Sequence, residues 1–116
     1  MVEINQQPKQ TRLRDKGYLV WLSEQPPLVM GFGDTVAHHL KIFKSGSMGM
    51  KPPDTDCIPL ADSTHRDVHQ YGERRVLFER YGFTEKDLRV ICDRYRAEYL
   101  DWQKRRAATN DGSSVG

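Results

Sequence analysis

The four histidines are the residues whose types and spacing are best suited to chemistry. They occur as two pairs, the adjacent His38 and His39 and the i, i+4 pair His65 and His69. A neutral imidazole can bind a transition-metal cation, or accept a proton near neutral pH. Two such pairs in one short chain therefore predict a metal centre with a base beside it.

The spacing within each pair indicates how it contributes. On a helix, His65 and His69 project from one face about one turn apart, so both can bind the same cation. On a strand, His38 and His39 point to opposite faces, which favours different roles. One of them can complete a three-histidine site with an open coordination position, and the other can accept a proton from water. The spacing leaves open which is the ligand, but the arrangement suits phosphodiester hydrolysis.

The elements before and around the first histidine pair can be predicted from turn residues. A helix is expected from Arg12 to Gln25, where two consecutive prolines stop it. The apolar runs 28–30 and 35–40 flank the segment GFGD, a composition typical of a tight β-hairpin. Residues 41–58 are rich in glycine and proline, and we expect a structured loop there.

The second histidine pair is predicted to lie on a helix. The segment 61–82 has helical character, with Asp62 or Ser63 as the N-cap and with Gly72 as a break. Because the helix carries both His65 and His69, it is the expected metal-binding helix.

A long amphipathic helix is predicted near the C-terminus, where Thr84 and Asp87 resemble a capping box. The expected fold class is therefore α+β, a small hairpin surrounded by helices. One folded domain is expected over residues 12–106, between a mobile N-terminal tail, 1–11, and a disordered C-terminal tail, 107–116.

Composition excludes several classes of protein. With 37% hydrophobic and 29% charged residues, the chain is neither disordered nor fibrous in character. It has no apolar run of about 18 residues and no hydrophobic N-terminal stretch, so we expect a cytoplasmic protein without a membrane partner. Cys57 and Cys92 do not form a disulfide framework, and both thiols are expected to be reduced and partly buried. A net charge of +2 selects no partner.

Three segments carry a family resemblance, VAHHL, GSMGMKPPDTD and CIPLADSTHRDVH. They resemble the first strand, the loop and the metal-binding helix of HNH nucleases (ββα-metal, or His-Me finger), especially the small type associated with phage and prophage recombination. The stretch from Asp56 to His65 matches the family's Asn-Leu-x-x-Leu-Cys-x-x-Cys-His position by position. The resemblance covers roughly residues 12–82 and implies a ββα-metal core.

The resemblance also implies a role for each site residue. His38, His65 and His69 would bind one divalent cation, which could be Mg²⁺, Mn²⁺, Ni²⁺ or Zn²⁺. His39 would be the general base, and Asp56 would replace the central Asn that orients it, with Asp54 as the alternative. The same histidine pattern is similar to that of the bacterial DNase colicins.

One departure from the family concerns its structural zinc, which two CxxC pairs bind in many members. The matching positions are Pro27, Met30, Ala61 and Thr64, so no structural zinc is expected. We expect packing of Met30 and its neighbours to replace it.

The function implied is a metal-dependent endonuclease of phage or prophage origin that cuts double- or single-stranded DNA. The basic residues expected to contact phosphates are Lys41, Lys44, Lys51 and Arg66. The alternative is a catalytically silent module of the same fold that binds DNA or protein in recombination or counter-defence, with phage or host recombination proteins as partners. A zinc protease is disfavoured, because Arg66 stands where its motif needs a glutamate.

Overall fold

The structure is a computed structural model that describes residues 13–43 and 51–115, with side chains up to residue 108. Its elements are, in chain order, α1 (Lys16–Ser23), β1 (Thr35–His39), β2 (Cys57–Ala61), α2 (Asp62–Tyr71), a π-helix (Arg74–Arg80) and α3 (Glu85–Val115). The mixed α+β class and the long C-terminal helix are confirmed. None of the described helices is both long and apolar enough to cross a membrane. The predicted tail at 1–11 and Arg12 lie outside the described residues.

The two strands form an antiparallel sheet, but not with the partner predicted for β1. His38 lies opposite Ile58 and His39 opposite Cys57, so β1 pairs with β2 across a long connection. The prediction that residues 28–30 form the partner strand was wrong, and the loop predicted over 41–58 ends earlier, because Cys57 begins β2. All five residues of β2 are buried, as expected of a short apolar strand covered on both faces.

Residues 28–34 lie along the end of β2 and the start of α2 instead of forming a hairpin. The Leu28 N–H donates to the Pro59 carbonyl at 2.8 Å. Gly33 has a φ of +88°, and a Cβ on Gly31 would lie 2.7 Å from the Cβ of Ala61. Gly33 therefore allows a positive φ, and Gly31 allows a close approach of the backbone to Ala61.

The same segment caps α2. The N–H groups of Asp62 and Ser63 donate to the carbonyls of Asp34 and Phe32 at 2.9 and 3.0 Å. Asp62 and Ser63 thus lie inside the first turn, and the prediction that one of them is the N-cap was wrong. Ala61 is the N-cap and makes no side-chain capping bond, because backbone carbonyls already accept from these N–H groups.

Helix ends elsewhere follow local capping chemistry. The side chain of Asp15 accepts from the Tyr18 N–H at 3.1 Å, and α1 begins at Lys16, later than predicted. The capping box is confirmed, since the backbone N–H groups of Thr84 and Asp87 each donate to the other's side chain at 2.9 and 3.0 Å. The helix it opens continues to Val115. It overlaps the tail predicted for 107–116, whose disorder stays a prediction.

The core has two parts, one on each face of β2. Ile58 and Leu60 belong to a cluster formed with residues of α2, the π-helix and α3. Cys57 points the other way, into an aromatic cluster with Tyr18, Trp21, Leu22 and Tyr99. Residues directly opposite in an antiparallel pair share a face, so His38 lies on the α2 side and His39 on the aromatic side. Both cysteines are free and buried.

Met30 does not pack as expected, since its side chain is 91% exposed. The space is closed instead by the backbone at Gly31, whose Cβ would also meet the Thr64 hydroxyl oxygen at 2.8 Å. We predict that Gly31→Ala lowers the free energy of unfolding by about 1–3 kcal/mol, because an added methyl overpacks this contact. Urea unfolding measures the change, and Met30→Ala is the matched control, expected within about 0.5 kcal/mol of wild type. Equal stabilities of the two variants would contradict the close approach.

Candidate metal centre

Three of the four histidines come together where β1 faces α2. His38 lies on the α2 side of the sheet, while His65 and His69 occupy successive turns of one helical face. Their ligand nitrogens lie within 4.8 Å of one another. The ring centroid of His65 is 5.2 Å from that of His38 and 4.4 Å from that of His69. The structure thus brings together the three histidines that the family resemblance implied as ligands.

The spacing of the two nitrogens on α2 fits a single cation. The Nε2 atoms of His65 and His69 are 3.0 Å apart. Two imidazoles on a tetrahedral ion, each at about 2.0–2.1 Å, would have their nitrogens about 3.3 Å apart. Small side-chain adjustments would therefore complete the site. A set of imidazole ligands suits zinc, nickel, copper or iron.

Burial and neighbouring histidines affect the protonation of the cluster. His38 is only 5% exposed, His65 is half-buried and His69 is exposed, so the cluster opens towards solvent on the His69 side. Burial, together with the nearby His38 and His69, lowers the pKa of His65. His65 is therefore neutral at physiological pH, as a metal ligand must be.

His39 lies outside this cluster and has its own carboxylate partner. Its Nε2 is 2.7 Å from Oδ1 of Asp54, which is 4% exposed. The Asp15 backbone N–H donates to Oδ2 of Asp54 at 2.7 Å, and Arg14 donates to Oδ1 at 3.3 Å. Burial opposes ionisation of Asp54, but the bonds from His39 and Asp15 outweigh it and lower its pKa. An ionised carboxylate thus holds one ring nitrogen of His39.

Asp56, assigned by resemblance to support the base, forms a different contact. Its Oδ1 accepts from Arg89 at 2.9 Å, which ties the start of β2 to α3. Arg89 also lies over the ring of Phe43, 3.8 Å from the centroid. The carboxylate beside His39 is that of Asp54, which the sequence had offered as the alternative.

Glu73 is a site residue that sequence reasoning missed. Its Oε2 is 2.7 Å from Nε2 of His38, on β1. Gly72, which ends α2 with a φ of +99°, turns the chain so that Glu73 meets the end of β1. No spacing rule could have found this contact, because it depends on where the chain goes after the predicted break.

A cleft of about 600 Å³ adjoins the exposed side of the cluster. His38, His69 and Glu73 line one part of it. The cations that line it are Lys41, Arg74 and Arg75. Arg74 lies over the Phe78 ring, 5.2 Å from the centroid. The histidine cluster thus borders a surface where three cations lie beside the carboxylates of Glu73 and Glu79.

A protein-family model described as "Protein of unknown function (DUF968)" matches residues 4–97, which is most of the chain. The chain belongs to the DUF968 family. No curated protein and no solved structure matches it significantly. The matched residues include all four histidines, Asp54 and Glu73.

Within this DUF968 chain, Lys41 alone lines the cleft among the described residues that were predicted to contact phosphates, which are Lys41, Lys51 and Arg66. Lys41 lies in this cleft beside the histidine cluster. Arg66 pairs with Asp62 at 2.6 Å on the exposed side of α2, and Lys51 is exposed in the connection before β2. Lys44 lies outside the described residues.

The Asp54 contacts predict a pH-dependent stability. Because its folded pKa is lowered, Asp54 stabilises the fold above its unfolded pKa of about 3.9, and this contribution is lost as the pH falls through the folded value. We expect Asp54→Asn to cost about 1.5–3 kcal/mol at neutral pH and much less in acid. Urea unfolding from pH 7 to pH 3 measures this.

Asp67→Asn is the matched control for that series. Asp67 makes a partly exposed ion pair with Arg80 at 2.7 Å, so its loss should change stability by about 1 kcal/mol or less. If Asp54→Asn and wild type lost stability in parallel as the pH fell, the assigned role of the Asp54 carboxylate would be wrong.

Proposed function

We propose that this DUF968 protein is a metal-dependent endonuclease of the HNH type that hydrolyses phosphodiester bonds in DNA. The observation that carries the proposal is that the two adjacent histidines at the end of β1 have different surroundings. His38 joins a three-histidine cluster, whereas the adjacent His39 lies apart and is held by a buried carboxylate. A hydrolytic site needs both a metal and a separate base, and adjacent strand residues can supply one to each face.

The order of elements supports the resemblance to the ββα-metal core. An antiparallel pair of strands, β1 and β2, is followed directly by α2, which carries His65 and His69. The connection between the strands contains the segment that resembles the family's loop. Phage or prophage origin follows from the resemblance alone and remains part of the proposal.

The positions of the family's zinc cysteines give a second support. The segments that would carry them lie close together, because the Leu28 N–H donates to the Pro59 carbonyl and the Gly31 backbone approaches Ala61 and Thr64. The Gly31 backbone lies so close to Ala61 and Thr64 that a Cβ on Gly31 would clash with both. A chain without the zinc can therefore keep the same junction, because direct backbone packing fills the space.

The proposed roles follow from the hydrogen bonds. His39 donates Nε2–H to Asp54, which leaves Nδ1 to accept a proton from the attacking water. The ionised Asp54 then stabilises the imidazolium that forms, as a buried aspartate does for a catalytic histidine. A divalent cation held by His38, His65 and His69 would supply charge stabilisation at the scissile phosphate and the leaving oxygen.

The cleft beside the histidine cluster is the proposed contact with the DNA backbone, through Lys41, Arg74 and Arg75. We predict that the double variant Arg74→Ala/Arg75→Ala binds DNA more weakly and lowers the slope of log affinity against log salt by about 2, since each lost phosphate contact removes about 0.9. Fluorescence anisotropy at several salt concentrations measures the slope. Arg105→Ala is the control, because Arg105 pairs with Asp101 on α3, outside the cleft. If the double variant and wild type had the same slope, the cleft would be excluded as the DNA contact.

A plasmid-nicking assay tests the function itself. Supercoiled DNA is incubated with the protein after chelator treatment and then with Mg²⁺, Mn²⁺, Ni²⁺ or Zn²⁺ added back one at a time. Nicking that needs an added metal is expected. Metal and DNA binding without cleavage under any of the metals would instead favour the silent binding module of the same fold.

A further inference from the structure

We propose that Glu73 is a positioning residue of the metal centre: it holds His38 by its Nε2–H, so that the cation is bound by Nδ1. Its role depends on the proposed three-histidine centre and adds to it a residue from outside β1 and α2. Glu73 lies between α2 and the π-helix, outside the three segments that carry the HNH resemblance.

The carboxylate of Glu73 is held on two sides. Oε2 contacts Nε2 of His38 at 2.7 Å, and Oε1 accepts from the backbone N–H groups of Lys41 and Ile42, each at 3.0 Å. The side chain is only 10% exposed. Turning the carboxylate away from His38 would leave these backbone donors without their acceptor, so its orientation is well determined.

The backbone on both sides of Glu73 has an unusual conformation. Gly72 adopts a positive φ of +99°, and the following residues form a π-helix, Arg74–Arg80. Positive φ is readily adopted only by glycine, and π-helical turns are rare and occur often at functional sites. The Val76 N–H donates back to the Gly72 carbonyl at 3.2 Å, which ties the turn to the helix. The chain thus places this carboxylate firmly at the end of β1.

The hydrogen bonds around Glu73 fit the role. Oε1 already accepts from the backbone N–H groups of Lys41 and Ile42, and Oε2 lies 2.7 Å from Nε2 of His38. A carboxylate group that accepts in this way pairs with a nitrogen that carries the proton, so Nε2–H of His38 is the donor. A neutral imidazole then has its lone pair on Nδ1. Such a partner fixes the tautomer and ring orientation of a metal-binding histidine and raises its basicity.

The first test reads the tautomer directly. Long-range ¹H–¹⁵N spectra of the histidine side chains are recorded on the full chain, without metal and with Zn²⁺ added. We expect His38 to carry its proton on Nε2 in both states and to bind Zn²⁺ through Nδ1. A proton on Nδ1, or Zn²⁺ on Nε2, would overturn the proposal. This readout needs no variant and no cleavage activity.

The second test measures Zn²⁺ affinity by calorimetry in matched variants. Glu73→Ala is expected to weaken binding by about 10–100-fold and to give His38 a mixture of tautomers. Glu73→Gln keeps a hydrogen-bond acceptor and should lose less. Glu79→Gln is the control, since Glu79 lines the same cleft and loses the same charge, and its affinity should equal that of wild type.

The outcomes separate a positioning role from a purely structural one. If Glu73 only anchored the backbone of Lys41 and Ile42, its removal would leave the His38 tautomer unchanged, and that result would overturn the proposal. Wild-type affinity in Glu73→Ala would do the same. A protein that shows the expected tautomer and Zn²⁺ affinities yet never nicks DNA would refute the nuclease function while leaving the Glu73 assignment intact.

Discussion

His39→Ala is expected to keep the bound cation and to lose about 10²- to 10⁴-fold in the rate of DNA cleavage, the usual effect of removing a general base. The reason is geometric. His39 lies on the face of β1 opposite His38 and contacts Asp54, so its side chain takes no part in the three-histidine cluster. Metal affinity by calorimetry and plasmid nicking are measured on the same preparation.

His38→Ala is the matched control, one residue away on the same strand. It should lose the metal and the cleavage together. If the roles of the two residues were exchanged, His39→Ala would lose the metal and His38→Ala would keep it. Wild-type cleavage in both variants would require the nuclease function to be abandoned.

His65→Ala and His69→Ala are each expected to abolish tight metal binding. Each removes one of three ligands, so the loss should exceed the 10–100-fold typical of a residue that only supports a ligand. Calorimetry with Zn²⁺ measures the affinity. The nearby Gln70→Ala, also on α2 and exposed, is the control and should bind as wild type does. Unchanged affinity in both histidine variants would remove the ligand assignment.

The parts of the site that could be predicted from sequence are those governed by local geometry. The i, i+4 spacing puts His65 and His69 on one face of any helix, and strand alternation separates His38 from His39. Both relations hold whatever the rest of the chain does. The capping box at Thr84 and the break at Gly72 were predictable for the same reason, since each depends on residues close in sequence.

The partner of β1 could not be predicted from local signals. The segment GFGD has the composition of a hairpin turn, but its glycines serve the contact with Ala61 and Asp62. Because Cys57–Ala61 is apolar throughout, it could have been recognised as a buried strand. The glycines and prolines of residues 41–58, among them Pro52 and Pro53, instead favoured a loop that included Cys57 and Ile58.

The carboxylates of the site needed the folded structure. Asp54 and Asp56 are two residues apart, and sequence alone does not indicate which one faces His39 and which one faces Arg89. Glu73 meets His38 only because the chain turns at Gly72. Met30 was expected to pack in place of the family's structural zinc, but it is exposed, and the backbone of Gly31 makes the close approach instead.

One cation held by His38, His65 and His69 is the centre of the proposed chemistry, and anomalous diffraction from crystals grown with Mn²⁺ or Zn²⁺ tests it most directly. We expect a single strong anomalous peak within bonding distance of all three imidazoles, with His39 outside the coordination shell and its Nδ1 turned towards solvent. A peak coordinated by His39, or no peak at these three residues under saturating metal, would contradict the assignment.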